Sequence, residues 1–103
     1  MRRKILHDLP DAKFRLHVHV GSHEVPVFAA DLRPVGEIYG CAFDSPEPEI
    51  WLNSTATKAQ QARTLVHETL EVINNVYQLG LDETKIRILE QSLCQSFKMA
   101  RKG

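Results

Sequence analysis

A long amphipathic pattern in the second half of the chain decides most about its fold. Apolar residues recur at helical spacing between residues 56 and 79 and form one broad stripe. The stripe consists of Ala59, Ala62, Leu65, Val66, Thr69, Leu70, Ile73, Val76 and Tyr77. N-cap candidates at residues 53–55 precede the pattern, and Gly80 follows it as a stop signal. The sequence therefore predicts a helix from about Ala56 to Leu79 with one face against a core.

Three polar side chains lie at the rim of that stripe. His67 and Glu71 are four residues apart, so they share one helical face, while Glu68 points about 100° round the helix. This is the spacing of the zinc-peptidase helix His-Glu-x-x-His, with a Glu at the second ligand position. Imidazole and carboxylate groups both bind zinc, and Glu68 is then the general base that takes a proton from a metal-bound water.

A second amphipathic helix follows, with Asp82 as its cap and a predicted range from about Glu83 to Met99. Its stripe consists of Ile86, Leu89, Leu93, Cys94 and Phe97. Glu90 lies inside this stripe, where an unpaired carboxylate would be costly to bury. We expect it to meet a cation, a helix end, a proton or a metal. With a metal, Glu90 becomes the third ligand and water takes the fourth position, the usual pattern of catalytic zinc sites.

The first half of the chain reads as strands. Lys13–Val20 alternates, which predicts a strand that buries Phe14, Leu16, Val18 and Val20. A second strand is predicted at Val25–Ala30, where Pro26 indicates a sheet edge or a first strand residue. Further strands at Glu37–Phe43 and Glu49–Asn53 flank a proline-rich connection that suits a hairpin.

These elements predict an α+β fold, in which a small, mostly antiparallel sheet packs on two C-terminal helices. The chain has 103 residues, which suits a single domain over residues 1–103. The N-terminal 12 residues are interpreted as a polar lead-in. We expect Trp51 to pack its ring against sheet or helix and to keep its N–H near the surface.

Composition excludes several functional classes. The formal net charge is zero, which argues against a nucleic-acid partner. Cys41 and Cys94 belong to no Cys-x-x-Cys pair, and a disulfide between them stays open. No apolar run has the length of a membrane span, and no apolar core follows the basic N-terminus. We therefore expect a soluble cytoplasmic protein that is not a membrane protein.

The segment Thr64–Asn74 resembles the active-site helix of small zincin-like metallopeptidases of phages and prophages, the ImmA/IrrE-like group. Those proteins often carry Leu-x-His-Glu-x-x-His-Ala-Ile, so Glu71 stands where the group usually has its second His. The likeness extends diffusely over residues 38–97. It implies a minimal zincin-like hydrolase with zinc on His67, Glu71 and Glu90, Glu68 as catalytic base, and a peptide or protein substrate.

Several alternatives stay open at this stage. The second carboxylate makes the site more anionic, so Mn²⁺ or Mg²⁺ competes with Zn²⁺, and a site without metal is also compatible. The chain can then be a catalytically silent scaffold that works as a protein-binding, phage assembly or regulatory module. His17 and His19 form a back-up ligand pair on one strand face, and Asn74 is a candidate for orienting a ligand.

In zincins a sheet edge usually pairs with the extended substrate. The strand near Trp51 or Val25 is the candidate for that edge. The oligomeric state and the natural substrate leave no mark in the sequence.

Overall fold

A computed structural model describes residues 2–37, 39–44 and 47–96, and it confirms the predicted α+β class. The elements, in chain order, are helix α1 (Arg2–His7), strands β1 (Lys13–Val20) and β2 (His23–Ala30), a 3-10 turn (Arg33–Val35), strands β3 (Gly40–Phe43) and β4 (Glu49–Asn53), and helices α2 (Lys58–Tyr77) and α3 (Glu83–Ser96). The predicted end of the last helix at Met99, with Phe97, lies outside the described residues.

The four strands form one sheet in the order β1-β2-β4-β3. The pairs β1–β2 and β3–β4 are antiparallel, and β2–β4 is parallel, so the sheet is mostly antiparallel as predicted. Helix α2 packs across one face of the sheet and contacts β1, β3 and β4, while α3 packs against α2. Helix α2 is therefore the middle layer, and its far side faces α3.

The two faces of the sheet carry separate apolar clusters. Under α2 lie Val20, Val25, Val27, Ile50, Leu52 and Val72, with Leu65, Ile73 and Val76 of α2 packed against them. On the opposite face lie Leu6, Ala30, Leu32 and Trp51. Successive strand residues alternate between these clusters because strand side chains have a period of two.

Strand β1 has the predicted bounds, but only half of its predicted buried face is confirmed. Val20 is buried and Val18 packs against the cluster under α2, whereas Phe14 and Leu16 are not buried. The register shifts between Phe14, which pairs with Phe28, and Leu16, which pairs with Val27. This bulge adds Arg15 to one strand and so moves Phe14 to the opposite face from Leu16. Both residues are also largely exposed, at 47% and 43%, since β1 is an edge strand.

The prediction for Pro26 is also wrong, because β2 lies inside the sheet and begins at His23. The parallel pairing with β4 begins only at Val27, and Pro26 pairs with His17 of β1. At Pro26 the strand therefore has a neighbour on one side only. A residue without a backbone N–H is tolerated at such a local edge.

Trp51 is completely buried, so the prediction of an N–H near the surface is wrong. Its Nε1 donates to Glu49 Oε2 at 2.6 Å, and His7 Nε2 lies 2.9 Å from the same oxygen. Helix α1, which was interpreted as a polar lead-in, supplies His7 and the buried Leu6 to this face. The short helix thus closes the face of the sheet that α2 leaves open.

The helix ends follow ordinary capping rules with small displacements from the prediction. Thr57, two residues beyond the predicted caps, accepts from the backbone N–H of Gln60 and starts α2. Gln78, at φ 51°, ends α2 in the left-handed conformation before Gly80 is reached. Asp82 caps α3 as predicted, because its Oδ1 accepts from the backbone N–H of Lys85 at 2.9 Å.

The two cysteines are not bonded to each other. Cys94 is buried as predicted, and no disulfide joins it to Cys41. Within the described ranges, no helix has the length and apolar character that crossing a membrane requires.

Candidate metal centre

The imidazole of His67 lies between α2 and α3 and meets carboxylates at both ring nitrogens. Nδ1 lies 2.8 Å from Glu90 Oε1. Nε2 lies 3.4 Å from Glu71 Oε2, one turn along α2, and 3.3 Å from Glu83 Oε1 at the start of α3. The side chains of His67 and Glu90 are only 21% and 15% exposed. A largely buried imidazole is thus held among three acids.

The structure brings both predicted carboxylate ligands to the imidazole of His67, but to different nitrogens. Glu71 lies at Nε2 together with Glu83, whereas Glu90 lies at Nδ1. One ligand atom from each of His67, Glu71 and Glu83 lies within 4.8 Å of the others. A ligand role for Glu90 stays a prediction, and the geometry offers Glu83 as the third carboxylate at Nε2.

Glu83 was missed although the sequence held a signal for it. Glu83 and Glu90 are seven residues apart, which is close to two helical turns, so both lie on the same face of α3. The sequence predicts Glu83 only as the first residue of the helix. Glu83 lies outside the apolar stripe and is 54% exposed in the structure, so it lacks the burial signal that Glu90 has.

The spacing of the Nε2 group fits a small ion. Ligands at about 2.0–2.1 Å from zinc in a tetrahedron stand about 3.3–3.4 Å apart. The two distances from His67 Nε2 to the carboxylate oxygens are 3.3 and 3.4 Å. One imidazole nitrogen and two carboxylate oxygens are also donors that zinc accepts. The residues present therefore fit a divalent cation on the Nε2 side of His67.

The acids around His67 alter its pKa and that of Glu71. Burial by itself lowers the pKa of His67, but the hydrogen bond to Glu90 and the charges of Glu68, Glu90 and Glu83 raise it above its usual value. Burial and the nearby charge of Glu83 raise the pKa of Glu71. The group holds protons when no cation is present, so protons and a metal ion compete for it.

Glu68, the predicted catalytic base, lines a cleft that consists of two neighbouring cavities. Burial raises its pKa to about 7, and the charge of Glu71 adds to this while that of His67 opposes it. Glu68 lines two cavities, of about 360 and 380 Å³. The first is also lined by Tyr39, Gly40, Gln60, Arg63, Thr64, His67, Glu83, Arg87, Glu90 and Gln91, and the second by Ala42, Asp44, Glu71, Asn74, Asn75, Gln78 and Gly80.

Strand β3 forms one wall of both cavities and lies at the end of the strand order. A Cβ on Gly40 would come 2.4 Å from the backbone oxygen of Trp51 and 2.8 Å from Thr64 Cγ2. A glycine is therefore needed where α2 approaches this strand. The strands that carry Trp51 and Val25 are interior, and the edge strand beside Trp51 is β3, whose Cys41 pairs with Trp51. A role for this edge in binding substrate stays a prediction.

Asn74 and the pair His17 and His19, the secondary candidates for the metal site, make other contacts. Both polar atoms of the Asn74 amide bind the backbone of Leu81: Nδ2 donates to the Leu81 carbonyl at 3.1 Å, and Oδ1 accepts from the Leu81 N–H at 2.9 Å. It fixes the turn that leads to Glu83. His17 and His19 lie on β1, at the opposite edge of the sheet from β3, so they do not join the His67 group.

Comparisons with protein-family models, with curated proteins and with solved structures find no match. The resemblance to the ImmA/IrrE-like group therefore stays a prediction, which rests on the segment Thr64–Asn74 and its flanking elements. The functional argument depends on the geometry around His67.

Proposed function

We propose that the protein is a metal-dependent peptidase of minimal zincin-like type. A divalent cation, with zinc as the first candidate and Mn²⁺ or Mg²⁺ as alternatives, is held by His67 Nε2 and by carboxylate oxygens of Glu71 and Glu83. The observation that supports this best is the spacing of 3.3 and 3.4 Å between Nε2 and the two oxygens. A fourth position then stays open for water or substrate, as in catalytic zinc sites.

Glu68 is proposed as the general base and acid. When bound, the ion would supply a Lewis acid that polarises a peptide carbonyl and lowers the pKa of water. Glu68 takes a proton from the attacking water and passes it to the leaving amine. Its pKa of about 7 without an ion suits both transfers. With an ion bound beside it, Glu68 would have a lower pKa and would be the carboxylate that the first transfer needs.

The substrate is proposed to be an extended peptide that lies along β3. This strand is at the sheet edge, and edge strands bind extended peptides through backbone hydrogen bonds. Cavities on both sides of Glu68 provide space for side chains before and after the reacting bond. The first contains Arg63 and Arg87, while the second contains Asp44 and no cation among its lining residues.

The test of this function is hydrolysis of a mixture of unstructured peptides by zinc-loaded protein and by Glu68→Gln. Loss of a positioned general base slows a reaction by about 100- to 10,000-fold. We expect cleavage by the wild type, a loss in that range for Glu68→Gln, and equal metal content in both. Glu24→Gln serves as control, because it makes the same chemical change at an exposed residue of β2 that lines neither cavity. Cleavage by Glu68→Gln at the wild-type rate would contradict the assignment.

A second candidate is a catalytically silent module that binds a peptide or protein along β3. The ion pairs favour it, since Glu90 has Arg63 at 3.5 Å and Glu83 has Arg87 at 3.7 Å, besides His67. These acids therefore have cationic partners even without a metal. Metal content separates the two candidates, because a silent module needs no ion at His67.

A further inference from the structure

Arg63, Glu90 and His67 form a connected row of polar contacts, which ends at the ring nitrogen of His67 that faces away from the proposed metal. Arg63 lies 3.5 Å from Glu90 Oε2, and Glu90 Oε1 lies 2.8 Å from His67 Nδ1. Arg63 and His67 are one turn apart on α2, and Glu90 reaches them from α3. Each oxygen of the largely buried Glu90 carboxylate therefore has its own partner.

This arrangement decides which ring nitrogen of His67 is available. A neutral imidazole carries one N–H, and the other nitrogen is an acceptor. Carboxylates lie at both nitrogens, but the contact of Nδ1 with Glu90 is a hydrogen bond of 2.8 Å, whereas Nε2 lies 3.3 and 3.4 Å from its nearest carboxylate oxygens. Because a carboxylate only accepts hydrogen bonds, the shorter contact places the proton of the neutral ring on Nδ1. The lone pair is then on Nε2, the nitrogen that faces Glu71 and Glu83.

We propose that Glu90 is a positioning residue, which holds His67 in the Nδ1–H tautomer and aims Nε2 at the metal, and that Arg63 fixes Glu90 in turn. This inference rests on the proposed metal site. It gives Glu90 a role other than direct ligation, since its Oε1 is engaged at the ring nitrogen that points away from Glu71 and Glu83. Carboxylate partners of this kind orient metal-binding histidines in many proteins.

The first test measures zinc affinity of Glu90→Ala, Arg63→Gln and Glu83→Ala by competition with a chelator. Loss of such an orienting partner typically costs about 10- to 100-fold in metal affinity. We expect a loss in that range for Glu90→Ala, a smaller loss for Arg63→Gln, and no stoichiometric binding for Glu83→Ala. Gln91→Ala is the control, because Gln91 is an exposed neighbour of Glu90 that lines the same cavity.

Cobalt substitution distinguishes orientation from ligation, because the visible spectrum of Co²⁺ reports its ligands. A positioning role predicts an unchanged spectrum for Glu90→Ala once Co²⁺ is saturating. A changed spectrum, or wild-type zinc affinity in Glu90→Ala, would overturn the inference. A lowered melting temperature with unchanged affinity would show that the contact is only structural, and would overturn it as well.

A second test needs no metal. Nitrogen-15 NMR of the His67 ring in metal-free protein, at a pH where the ring is neutral, reports its tautomer. We expect Nδ1–H in the wild type and a larger Nε2–H fraction in Glu90→Ala. An Nε2–H ring in the wild type would refute the inference. If the wild type binds no ion but shows Nδ1–H, the proposed function fails while the role of Glu90 in orienting the ring stands.

Discussion

At the residue scale, His67 is defined by the acids that surround it. Each of its ring nitrogens meets a carboxylate, and Glu68 lies next to it in the cleft. Such a set is costly without compensation, because like charges at close range raise one another's pKa. Arg63 and Arg87 balance part of this charge, and protons or a metal ion balance the rest. The protonation of the site therefore depends on pH when no metal is bound.

This dependence gives a prediction for stability of the metal-free protein. The pKa of Glu68 is raised from 4.5 to about 7, and that of His67 is raised above 6.5. A raised pKa means that the folded state binds the proton more tightly than the unfolded state. The proton on each group therefore contributes its full share to the free energy of unfolding at a pH below the group's unfolded-state pKa. For Glu68 this contribution is lost as pH rises from 4.5 to about 7. For His67 it is lost as pH rises through the raised pKa of the ring.

Chemical denaturation at a series of pH values measures the effect. The unfolding free energy contributed by this site should decrease as pH rises from 4.5 to about 7, and Glu68→Gln should flatten that slope. The difference between the variant and the wild type isolates Glu68 from other carboxylates. A parallel pH profile in the two proteins would show that Glu68 is solvated and titrates normally.

At the element scale, the site depends on the alignment of two helices. Helix α2 is fixed by the sheet through β3 and β4, whereas α3 packs against α2. The turn between the helices is held by the amide of Asn74 on Leu81. Because Glu83 begins α3 directly after this turn, a change in the turn moves Glu83 relative to His67.

Asn74→Ala tests that link. Loss of two hydrogen bonds should lower the free energy of unfolding by about 1–3 kcal/mol, since each contributes roughly 0.5–1.5 kcal/mol. Zinc affinity should also fall, because Glu83 is less well placed. Asn75→Ala is a matched control on the next, exposed helix position, so the change in helix propensity is the same. Equal stability and zinc affinity in the two variants would rule out a role for the Asn74 contacts.

The helices and strands are the part of the fold that the sequence predicts best. The bounds of β1 and the existence of α2 and α3 followed from periods of two and 3.6, because local burial dictates those patterns. The predicted bounds of β4 also match, but they followed from the proline-rich connection before it, since all five residues of β4 are buried and none alternate. The bulge at Arg15 changes only pairing register, which no local pattern records. Helical spacing placed His67 and Glu71 on one face, and it showed that Glu90 lies inside an apolar stripe and needs a partner. It could not choose between Glu83 and Glu90, since that depends on how far α3 is shifted along α2.

At the scale of the whole molecule, the strand order separates two surfaces. The edge strand β3 borders the cleft with Glu68, and the edge strand β1, with His17 and His19, lies at the other end of the sheet. Helix α1 and Trp51 close the face that α2 does not cover. The parallel pairing of β2 with β4 creates this arrangement, and a strand-by-strand reading of the sequence could not foresee it.

The most direct measurement is the metal content of purified protein, prepared first without added metal and then with zinc supplied. His67→Ala and the control His17→Ala, altered at the far edge strand, are measured alongside. The account predicts near-stoichiometric zinc or manganese in the wild type and in His17→Ala, and none in His67→Ala. Absence of metal from the wild type after zinc is supplied, or equal metal in His67→Ala, would contradict the proposed centre.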